Sequence, residues 1–336
     1  MSVNGSREHF ETVVIGGGQA GLAVGYHLAR RRQRFVILDG AERVGDSWRG
    51  RWDSLRLFTP ARYDGLPGWR FPAPGWSFPT KDEMADYLES YATRFELPVE
   101  TGVTVDRLSK DNGRFVVSAG SRRIEADRVV VASGAHRIAR VPKYAAELDP
   151  GIVQLHSSEY RSPSQLQEGG VLLVGAGNSG AELAKELAGT REIWLAGREV
   201  GEIPVPHGGG RFRVMLPLLR FVGHRVLTVR TPLGRKVGPK LAFGATPLIR
   251  VKSRHLAAAG VERVPRVAGT ANGRPVQQVA REIGVSRPMV WRWQQRFAEK
   301  GSDRLLRDKT RKPGKPPIPA ETVARVVAQT CGEPPL

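Results

Sequence analysis

Apolar residues in the first 40 positions form two short runs separated by a stretch with helical spacing. The segment Glu11–Asp39 reads ETVVIGGGQAGLAVGYHLARRRQRFVILD. The β-branched run at its start and the run FVIL at its end predict buried strands, and the stretch between them predicts a helix. A strand, a glycine turn, a helix and a second strand in this order indicate an α/β fold.

The turn of this unit contains three glycines with the spacing of a dinucleotide fingerprint. Gly16 permits a tight turn, Gly18 leaves room for a pyrophosphate beside the backbone, and Gly21 lets the helix pack closely on the strand. The helix start offers N–H groups and a positive dipole end to phosphates. Asp39, at the end of the second strand, is placed to accept hydrogen bonds from a ribose. An ordinary glycine turn is the alternative interpretation.

A second segment, Gly170–Arg198, repeats this pattern with GVLLVGAGNSGAELAKELAGTREIWLAGR. Gly16 precedes Asp39 by 23 positions, and Gly175 precedes Arg198 by the same number. We therefore expect Asp39 and Arg198 to occupy equivalent positions. An aspartate suits a free ribose 2′-hydroxyl and an arginine suits a 2′-phosphate, which predicts FAD in the first unit and NADPH in the second. A solvent-facing arginine is the alternative.

The region between the two units contains a loop, a helix and a hairpin. Residues 45–60 and 66–80 are rich in Trp, Pro and Gly, and either pack on their own aromatic residues or form an aromatic wall around a flat cofactor. Thr80 and Glu83 predict a capping box. The helix that follows carries an apolar core stripe, and a hairpin turns at Asn112-Gly113 between two alternating runs. The stripe is Met84, Leu88, Tyr91 and Phe95, and the runs lie around Val103/Val105 and Phe115/Val117.

Basic residues are concentrated in the later part of the chain. Residues 191–270 contain 15 Lys and Arg against 4 Asp and Glu, and residues 271–336 contain 13 against 6, within a formal net charge of +19. This excess fits either a phosphate-bearing partner or solvated arginine faces. A single cysteine, Cys331, excludes an intramolecular disulfide and a zinc cluster of cysteines. The start MSVNGSREHF lacks the profile of a signal peptide, and Pro217 and Arg220 interrupt the most apolar later stretch, so we expect a cytoplasmic protein with no membrane partner. No metal site is expected.

Five motifs give residues 1 to about 275 a resemblance to the flavin-containing monooxygenase family. They are GGGQAG (Gly16–Gly21), GDSW (Gly45–Trp48), VVVASG (Val129–Gly134), QLHSSEY (Gln154–Tyr160) and GAGNSG (Gly175–Gly180). The resemblance implies two Rossmann-like dinucleotide-binding domains, with the NADPH domain inserted into the FAD domain. It also implies a monooxygenase in which NADPH reduces FAD and a flavin C4a-hydroperoxide transfers one oxygen atom of O₂ to a small-molecule substrate.

Fifteen residues, from four of these motifs and from the two strand ends at Asp39 and Arg198, are candidate cofactor contacts. They are Gly16, Gly18, Gln19, Ala20, Gly21, Asp39, Trp48, Ser133, Gly134, Gly175, Gly177, Asn178, Ser179, Gly180 and Arg198. The catalytic residue is not assigned. His156, which matches part of the family signature between the two glycine motifs, is a candidate for the domain interface, and a hydrogen-bonded linker histidine is the alternative. Pro150 stands where that signature has a phenylalanine, and Gly151 comes one residue early.

The family pattern ends near Pro275, and a different one follows. In VQQVAREIGVSRPMVWRWQQRFAEKG, the residues Ala280, Gly284 and Val290 have helix-turn-helix spacing. Ser286 is a candidate N-cap, and the second helix offers polar side chains to DNA. Ser286, Arg287 and Arg292 are the candidate DNA contacts, and an ordinary helical hairpin is the alternative. Residues 276–336 resemble the N-terminal DNA-binding part of mariner-type insertion-sequence transposases, without their catalytic domain.

The predicted fold is thus α/β, with two Rossmann-like domains and a C-terminal all-α helix-turn-helix segment. The expected boundaries are residues 1–165 for the FAD domain, 166–275 for the NADPH domain, 276–307 for the helix-turn-helix, and 308–336 for a basic, proline-rich linker and short helix. The family's C-terminal return strand of the FAD domain is not found, so turnover is expected to be impaired. The alternative function is a transposase-derived DNA-binding protein that carries a vestigial flavoprotein domain.

Overall fold

The computed structural model describes residues 8–134, 139–236 and 246–267, together with 270–271, 274–275 and Ser286. The chain divides into two compact units. The first contains the chain up to Arg140 and the segment Leu155–Gln165, and the second contains Val141–Gln154 and the chain from Leu166 onward. The predicted domain boundaries stay predictions.

The first unit is built on a six-stranded sheet in the order β3-β2-β1-β6-β5-β4. Its strands are β1 (Glu8–Ile15), β2 (Phe35–Leu38), β3 (Val99–Glu100), β4 (Arg107–Asp111), β5 (Arg114–Ala119) and β6 (Arg122–Val131). β1 runs parallel to β2 and β6, and β2 runs parallel to β3, whereas β4, β5 and β6 pair antiparallel. All four residues of β2 are buried, as its uninterrupted apolar run predicts for a strand covered on both faces.

The described residues of the first unit form the α-helices α1 (Gln19–Arg30), α2 (Asp46–Arg49) and α3 (Lys81–Arg94). Single 3₁₀ turns lie at Ala61–Tyr63 and Pro163–Gln165. The predicted capping box at the start of α3 is confirmed, because the Thr80 hydroxyl accepts from the Glu83 amide and the Glu83 carboxylate accepts from the Thr80 amide. Of the predicted core stripe on α3, Met84, Leu88 and Tyr91 are buried, and Phe95 packs at the edge of the core.

The predicted hairpin is confirmed, although its first strand is displaced. Asn112 and Gly113 both have positive φ, of 48° and 84°, which is the geometry of a two-residue turn between twisted strands. The first strand, β4, begins at Arg107. The strand was expected around Val103 and Val105. These two residues instead precede β4 and pack against the cluster of buried residues that includes Val13, Val36 and Val117.

The second unit contains a three-stranded parallel sheet in the order β7-β8-β9. Its elements are β7 (Val171–Val174), α4 (Asn178–Leu187), β8 (Ile193–Ala196), α5 (Gly210–Phe221), a π-helical turn (Val222–Val226), α6 (Ser253–Ala258) and β9 (Glu262–Val264). A 3₁₀ turn lies at Lys143–Glu147, and two short strands, β10 (Thr270–Ala271) and β11 (Arg274–Pro275), pair antiparallel. Ala181, Ala184 and Leu187 give α4 a buried face.

In the described part of the chain, no helix is both long enough and apolar enough to cross a bilayer. No group of three or more histidine, cysteine, aspartate or glutamate side chains in the described ranges has the arrangement of a metal site.

Candidate dinucleotide-binding sites

The first glycine turn connects β1 to α1. Gly16 has φ +109°, and a Cβ placed on it would lie 2.5 Å from the Ala132 carbonyl oxygen. A Cβ on Gly21 would lie 1.8 Å from the Gly16 carbonyl oxygen, so only glycine permits this contact between helix and turn. A Cβ on Gly18 would meet no atom within 4 Å. The turn is therefore closed at its first and third glycines and open above the second.

The start of α1 presents an uncapped helix end above this turn. Its N-cap is Gly18, which has no side chain to bond the first amides, and its first turn contains no acidic residue. In contrast, α3 has a complete capping box and two acidic residues, Asp82 and Glu83, in its first turn. A helix N-terminus of the first kind attracts an anion through its amides and its dipole.

Asp39 lies directly below the same turn. Its Oδ2 accepts from the Gly17 amide at 2.8 Å, and its Oδ1 accepts from the Ala41 amide at 3.0 Å. These two bonds fix the carboxylate immediately after β2, and each oxygen retains capacity for a further donor. The structure therefore brings Asp39 and the glycine turn together.

The other candidate contacts of the first unit surround this turn. The Trp48 indole N–H donates to the Gln19 side-chain oxygen at 3.4 Å, which joins the GDSW motif to the start of α1. Ala20 is exposed beside Gln19. Ser133 follows the end of β6, with its Cα 3.0 Å from the position of a Gly16 Cβ, and the exposed Gly134 has φ +75°.

Arg49 holds the GDSW motif on α3, a role that the sequence analysis missed. Its guanidinium donates to the Val44 carbonyl and the Asp46 carboxylate at one end, and to Asp86 and Glu89 of α3 at the other, over 2.8–3.2 Å. A hydrogen bond from Arg43 helps to lower the pKa of Glu89 below its ordinary value. The signal in the sequence was an arginine directly after Trp48, but its two partners on α3 lie more than 30 positions away.

Two tyrosines of α3 fix the loop at residues 66–69. Tyr91 was predicted in the core stripe, and Tyr87 was not predicted. The Tyr87 hydroxyl accepts from the Leu66 amide at 2.6 Å and donates to the Trp69 carbonyl at 2.8 Å. The Tyr91 hydroxyl donates to the Pro67 carbonyl at 2.6 Å. Because both rings are buried in the core while both hydroxyls bond the loop, residues 66–69 are attached to the rigid helix.

A half-buried carboxyl group in the same loop makes stability depend on pH. Burial raises the pKa of Asp64 to about 6, against a hydrogen bond from Thr59 that lowers it. The fold thus favours the neutral acid, and this contribution to stability is complete below pH 3.8 and is lost as the pH rises through about 6. We expect Asp64→Asn to raise the melting temperature at pH 7.5 and to leave it unchanged near pH 4. Thermal melts at both pH values test this. Glu42→Gln, at an exposed carboxylate, is the control, and an equal effect of Asp64→Asn at both pH values contradicts the interpretation.

The second glycine turn, between β7 and α4, shares with the first turn a positive φ at its first glycine and a close contact at its third. Gly175 has φ +123°, and a Cβ on Gly180 would lie 1.9 Å from the Gly175 carbonyl oxygen. Gly177 is the N-cap of α4, with no side-chain cap and no acidic residue in the first turn. A Cβ on Gly177 would meet no atom within 4 Å. This turn is also open above its second glycine.

The equivalence of Asp39 and Arg198 expected from their spacing is wrong by one residue. Ile15 pairs with Leu38 in the first sheet, whereas Val174 pairs with Ala196 in the second. The residue equivalent to Asp39 is therefore Gly197. The contacts agree with this equivalence. In the first unit, a Cβ on the turn residue Gly17 would lie 2.5 Å from Asp39 Oδ2, and in the second unit a Cβ on Gly197 would lie 2.8 Å from the amide nitrogen of the turn residue Ala176.

The reason for this shift is the length of the connection between the glycine turn and the second strand. From the start of the helix to the start of the strand, the chain advances from Gln19 to Phe35 in the first unit and from Asn178 to Ile193 in the second, which is one residue fewer. Arg198 is exposed one position beyond the carboxylate-equivalent site. An acidic side chain is thus absent at that site, and a long cationic one follows it.

The remaining candidates of the second unit differ in their surroundings. Asn178 donates from its amide nitrogen to the Pro247 carbonyl at 3.0 Å and accepts from the Ile249 amide at 2.9 Å. Its side chain therefore fixes the segment 247–249 beside the start of α4. Ser179 is exposed in the first turn of α4.

His156 lies in the segment Leu155–Gln165, which belongs to the first unit. Its Nδ1 is 2.7 Å from the Ser158 hydroxyl and accepts from the Ser158 amide at 3.2 Å, while its backbone amide donates to the Glu159 carboxylate. These local bonds are those of a turn. Its expected place at a domain interface stays a prediction.

The candidate DNA contacts fall almost entirely outside the described residues. Ser286 is described and exposed, whereas Arg287 and Arg292 lie outside the described ranges.

Two family models match the chain, one in each of its predicted parts. The pyridine nucleotide-disulphide oxidoreductase family matches residues 13–199, more than half of the chain. A homeodomain-like domain matches residues 267–306, which confirms the resemblance of this region to helix-turn-helix proteins.

Similar proteins agree with the first match. An uncharacterized CzcO-like oxidoreductase of Geobacillus kaustophilus is 46% identical over 55% of this chain and 53% of its own. The probable indole-3-pyruvate monooxygenase YUCCA7 of Arabidopsis thaliana is 34% identical over 52% of this chain and 43% of its own. The chain thus spans about half the length of the curated relatives it matches.

A solved structure, a flavin-containing monooxygenase from Stenotrophomonas maltophilia, superposes with a TM-score of 0.60. The two sequences are 29% identical, and the superposition covers 78% of this chain and 72% of that structure's chain. The expected α/β Rossmann-like flavoprotein fold with a C-terminal helix-turn-helix region is confirmed. The chain belongs to the pyridine nucleotide-disulphide oxidoreductase family, as a flavin monooxygenase-like member joined to a homeodomain-like region.

Proposed function

We propose that the chain binds FAD at the turn Gly16–Gly21 and NADPH at the turn Gly175–Gly180, and that it acts as a flavin-dependent monooxygenase. The observation that carries this proposal is the pair of uncapped helix starts, each open above the second glycine of its turn. The two cradles fit a pyrophosphate because they offer backbone amides, a positive dipole end and no competing side chain. When bound, FAD supplies hydride acceptance from NADPH and activation of O₂ toward a small-molecule substrate.

In the first unit, the proposed role of these residues is to bind and orient the adenine half of FAD. The start of α1 holds the pyrophosphate, and Asp39 accepts hydrogen bonds from the ribose hydroxyls. The amides of Gly17 and Ala41 keep the carboxylate directed at the turn. Trp48, joined to Gln19 and held through Arg49, shields the cofactor from water.

In the second unit, the proposed selectivity for NADPH rests on two adjacent positions. Gly197 supplies no carboxylate, so a 2′-phosphate meets no negative charge where Asp39 stands in the first unit. Arg198, one position later, supplies a cationic fork that suits a phosphate. Because of the one-residue shift, the lack of a carboxylate and the presence of a cation fall on two adjacent residues. We therefore still assign NADPH to the second unit.

Replacing Arg198 tests this selectivity. We expect Arg198→Ala to weaken NADPH binding by at least about tenfold, since a hydrogen bond to a charged group contributes about 1.5–3 kcal/mol, and to leave NADH binding unchanged. Flavin bleaching without oxygen, measured against the concentration of each nucleotide, gives both values. Arg235→Ala, at another exposed arginine of the second unit, is the control. Equal effects on the two nucleotides, or none, contradict the role.

The homeodomain-like match supports a second candidate function, DNA binding by residues 267–306. The chain of 336 residues is then expected to bind duplex DNA with an affinity that falls steeply with salt. Arg287→Ala and Arg292→Ala are each expected to weaken binding by about tenfold, as loss of one base or phosphate contact does. Fluorescence anisotropy at several salt concentrations measures this, with the exposed Lys110→Ala as the control. Absent or salt-independent binding removes this candidate.

A further inference from the structure

The second unit carries a long basic segment that the proposed oxidoreductase function does not use. Residues 203–236, here called the arginine-rich segment, contain seven arginines and lysines and no aspartate or glutamate. The seven are Arg211, Arg213, Arg220, Arg225, Arg230, Arg235 and Lys236. The segment includes α5 and the π-helical turn.

Helix α5 in this segment is attached to its unit by one face only. Phe212 is 4% exposed and is the one fully buried side chain of the helix. On the opposite face, Val214, Leu218 and Phe221 follow each other at helical spacing and are 76%, 59% and 60% exposed. The helix therefore has a second apolar stripe that points away from the unit.

The exposed apolar surface continues through the rest of the segment. Further exposed apolar residues are Leu219, Val226, Val229 and Leu233, at 49%, 36%, 83% and 50%. Scattered exposed apolar residues are ordinary, but seven within 20 positions of the sequence are a local concentration of the kind found at interaction surfaces. Along the sequence, these apolar residues lie between the arginines of the segment.

The composition of this surface distinguishes between its possible partners. A second copy of the chain would bring a second set of arginines against the first, and the segment has no carboxylate to pair with them. Duplex DNA would pair with the arginines, but it would leave the apolar stripe without an apolar partner. The surface of an anionic bilayer satisfies both, because acyl chains accept the apolar side chains and the headgroups pair with the arginines.

We propose that the arginine-rich segment is a peripheral docking site for an anionic lipid surface. With 12 residues, α5 is about 18 Å long, whereas the apolar core of a bilayer is about 30 Å thick. The helix accordingly lies in the headgroup plane, with Val214, Leu218 and Phe221 directed into the acyl region. The expectation of no membrane partner rested on the lack of a spanning stretch, and a helix in the interface needs none.

Flotation of the purified chain with vesicles tests this proposal. One set of vesicles contains phosphatidylcholine alone, and the other contains phosphatidylcholine with about 30% phosphatidylserine, at low and at high salt. The bound fraction is expected to be at least about tenfold higher on the anionic vesicles and to fall with salt. The double variant Leu218→Ser/Phe221→Ser is expected to lose at least about tenfold of this binding, and Arg211→Gln/Arg225→Gln to lose the preference for phosphatidylserine.

Val153→Ser is the matched control, because Val153 is an exposed apolar residue of the same unit, 46% exposed and outside the segment. Circular dichroism melts establish that every variant is folded. Three results overturn the proposal: no preference for anionic vesicles, equal binding by Leu218→Ser/Phe221→Ser and the parent chain, or self-association in light scattering that the same double variant abolishes. Loss of duplex DNA binding in that variant, without binding of the parent to vesicles, identifies DNA as the occupant instead.

Discussion

Replacing Gly18 with valine is expected to remove FAD binding and to leave the fold intact. Gly18 has φ −75° and ψ −174°, which valine adopts without strain, and its Cβ would meet no protein atom within 4 Å. The added side chain would instead occupy the space in which we place the pyrophosphate. Since the start of α1 then loses several charge-assisted hydrogen bonds to the cofactor, we expect affinity for FAD to fall by at least about 100-fold.

Flavin absorbance per mole of purified chain measures this effect, and a thermal melt reports on the fold. Gly177→Val is the matched variant in the second unit, since Gly177 has φ −80° and is equally open. It is expected to retain FAD and to lose NADPH binding. Full FAD occupancy in Gly18→Val would show that the cofactor does not approach the backbone at this turn.

Replacing Gly21 with alanine is expected to destabilise the first unit, although alanine is the best helix former. In an exposed helix, the change from glycine to alanine is worth about 1 kcal/mol in favour of alanine. Here the new Cβ would lie 1.8 Å from the Gly16 carbonyl oxygen, a backbone atom that cannot rotate away. Overpacking of this kind costs about 1–3 kcal/mol, and more when the backbone has to move, so the clash outweighs the gain in propensity.

Urea unfolding followed by circular dichroism tests the second expectation. Gly21→Ala is expected to lower the unfolding midpoint, whereas Gly18→Ala, three residues earlier, is expected to leave it within error. The same contrast should recur for Gly180→Ala and Gly177→Ala in the second unit, because a Cβ on Gly180 would lie 1.9 Å from the Gly175 carbonyl oxygen. A stabilised Gly21→Ala variant would mean that the helix and the turn are not in this contact.

Local chemistry explains which features could be predicted from the sequence. The capping box at Thr80 and Glu83 and the turn at Asn112-Gly113 depend on residues within three positions of each other, and both were confirmed. The glycine turns were also readable, because a strand, a positive φ and a helix start follow within a few residues. The strand, the glycine turn and the helix start of each unit were therefore predictable from the sequence.

Features that depend on distant contacts could not be read in the same way. Equal spacing of Asp39 and Arg198 from their glycines suggested equal positions, but a helix and connection shorter by one residue moved the strand register. The hydroxyls of Tyr87 and Tyr91 bond loop atoms about 20 positions away, and Asn178 bonds a segment about 70 positions away. Such partners are determined by packing, so a stripe or motif identifies the residue but not its contact.

A calorimetric titration tests whether the chain has two separate dinucleotide sites. Flavin-free chain is titrated with FAD, and the saturated complex is then titrated with NADPH. We expect each coenzyme to bind once per chain, neither to displace the other, and Gly18→Val to abolish only the binding of FAD. Displacement of FAD by NADPH from a shared site, or a chain that binds neither, would contradict this expectation.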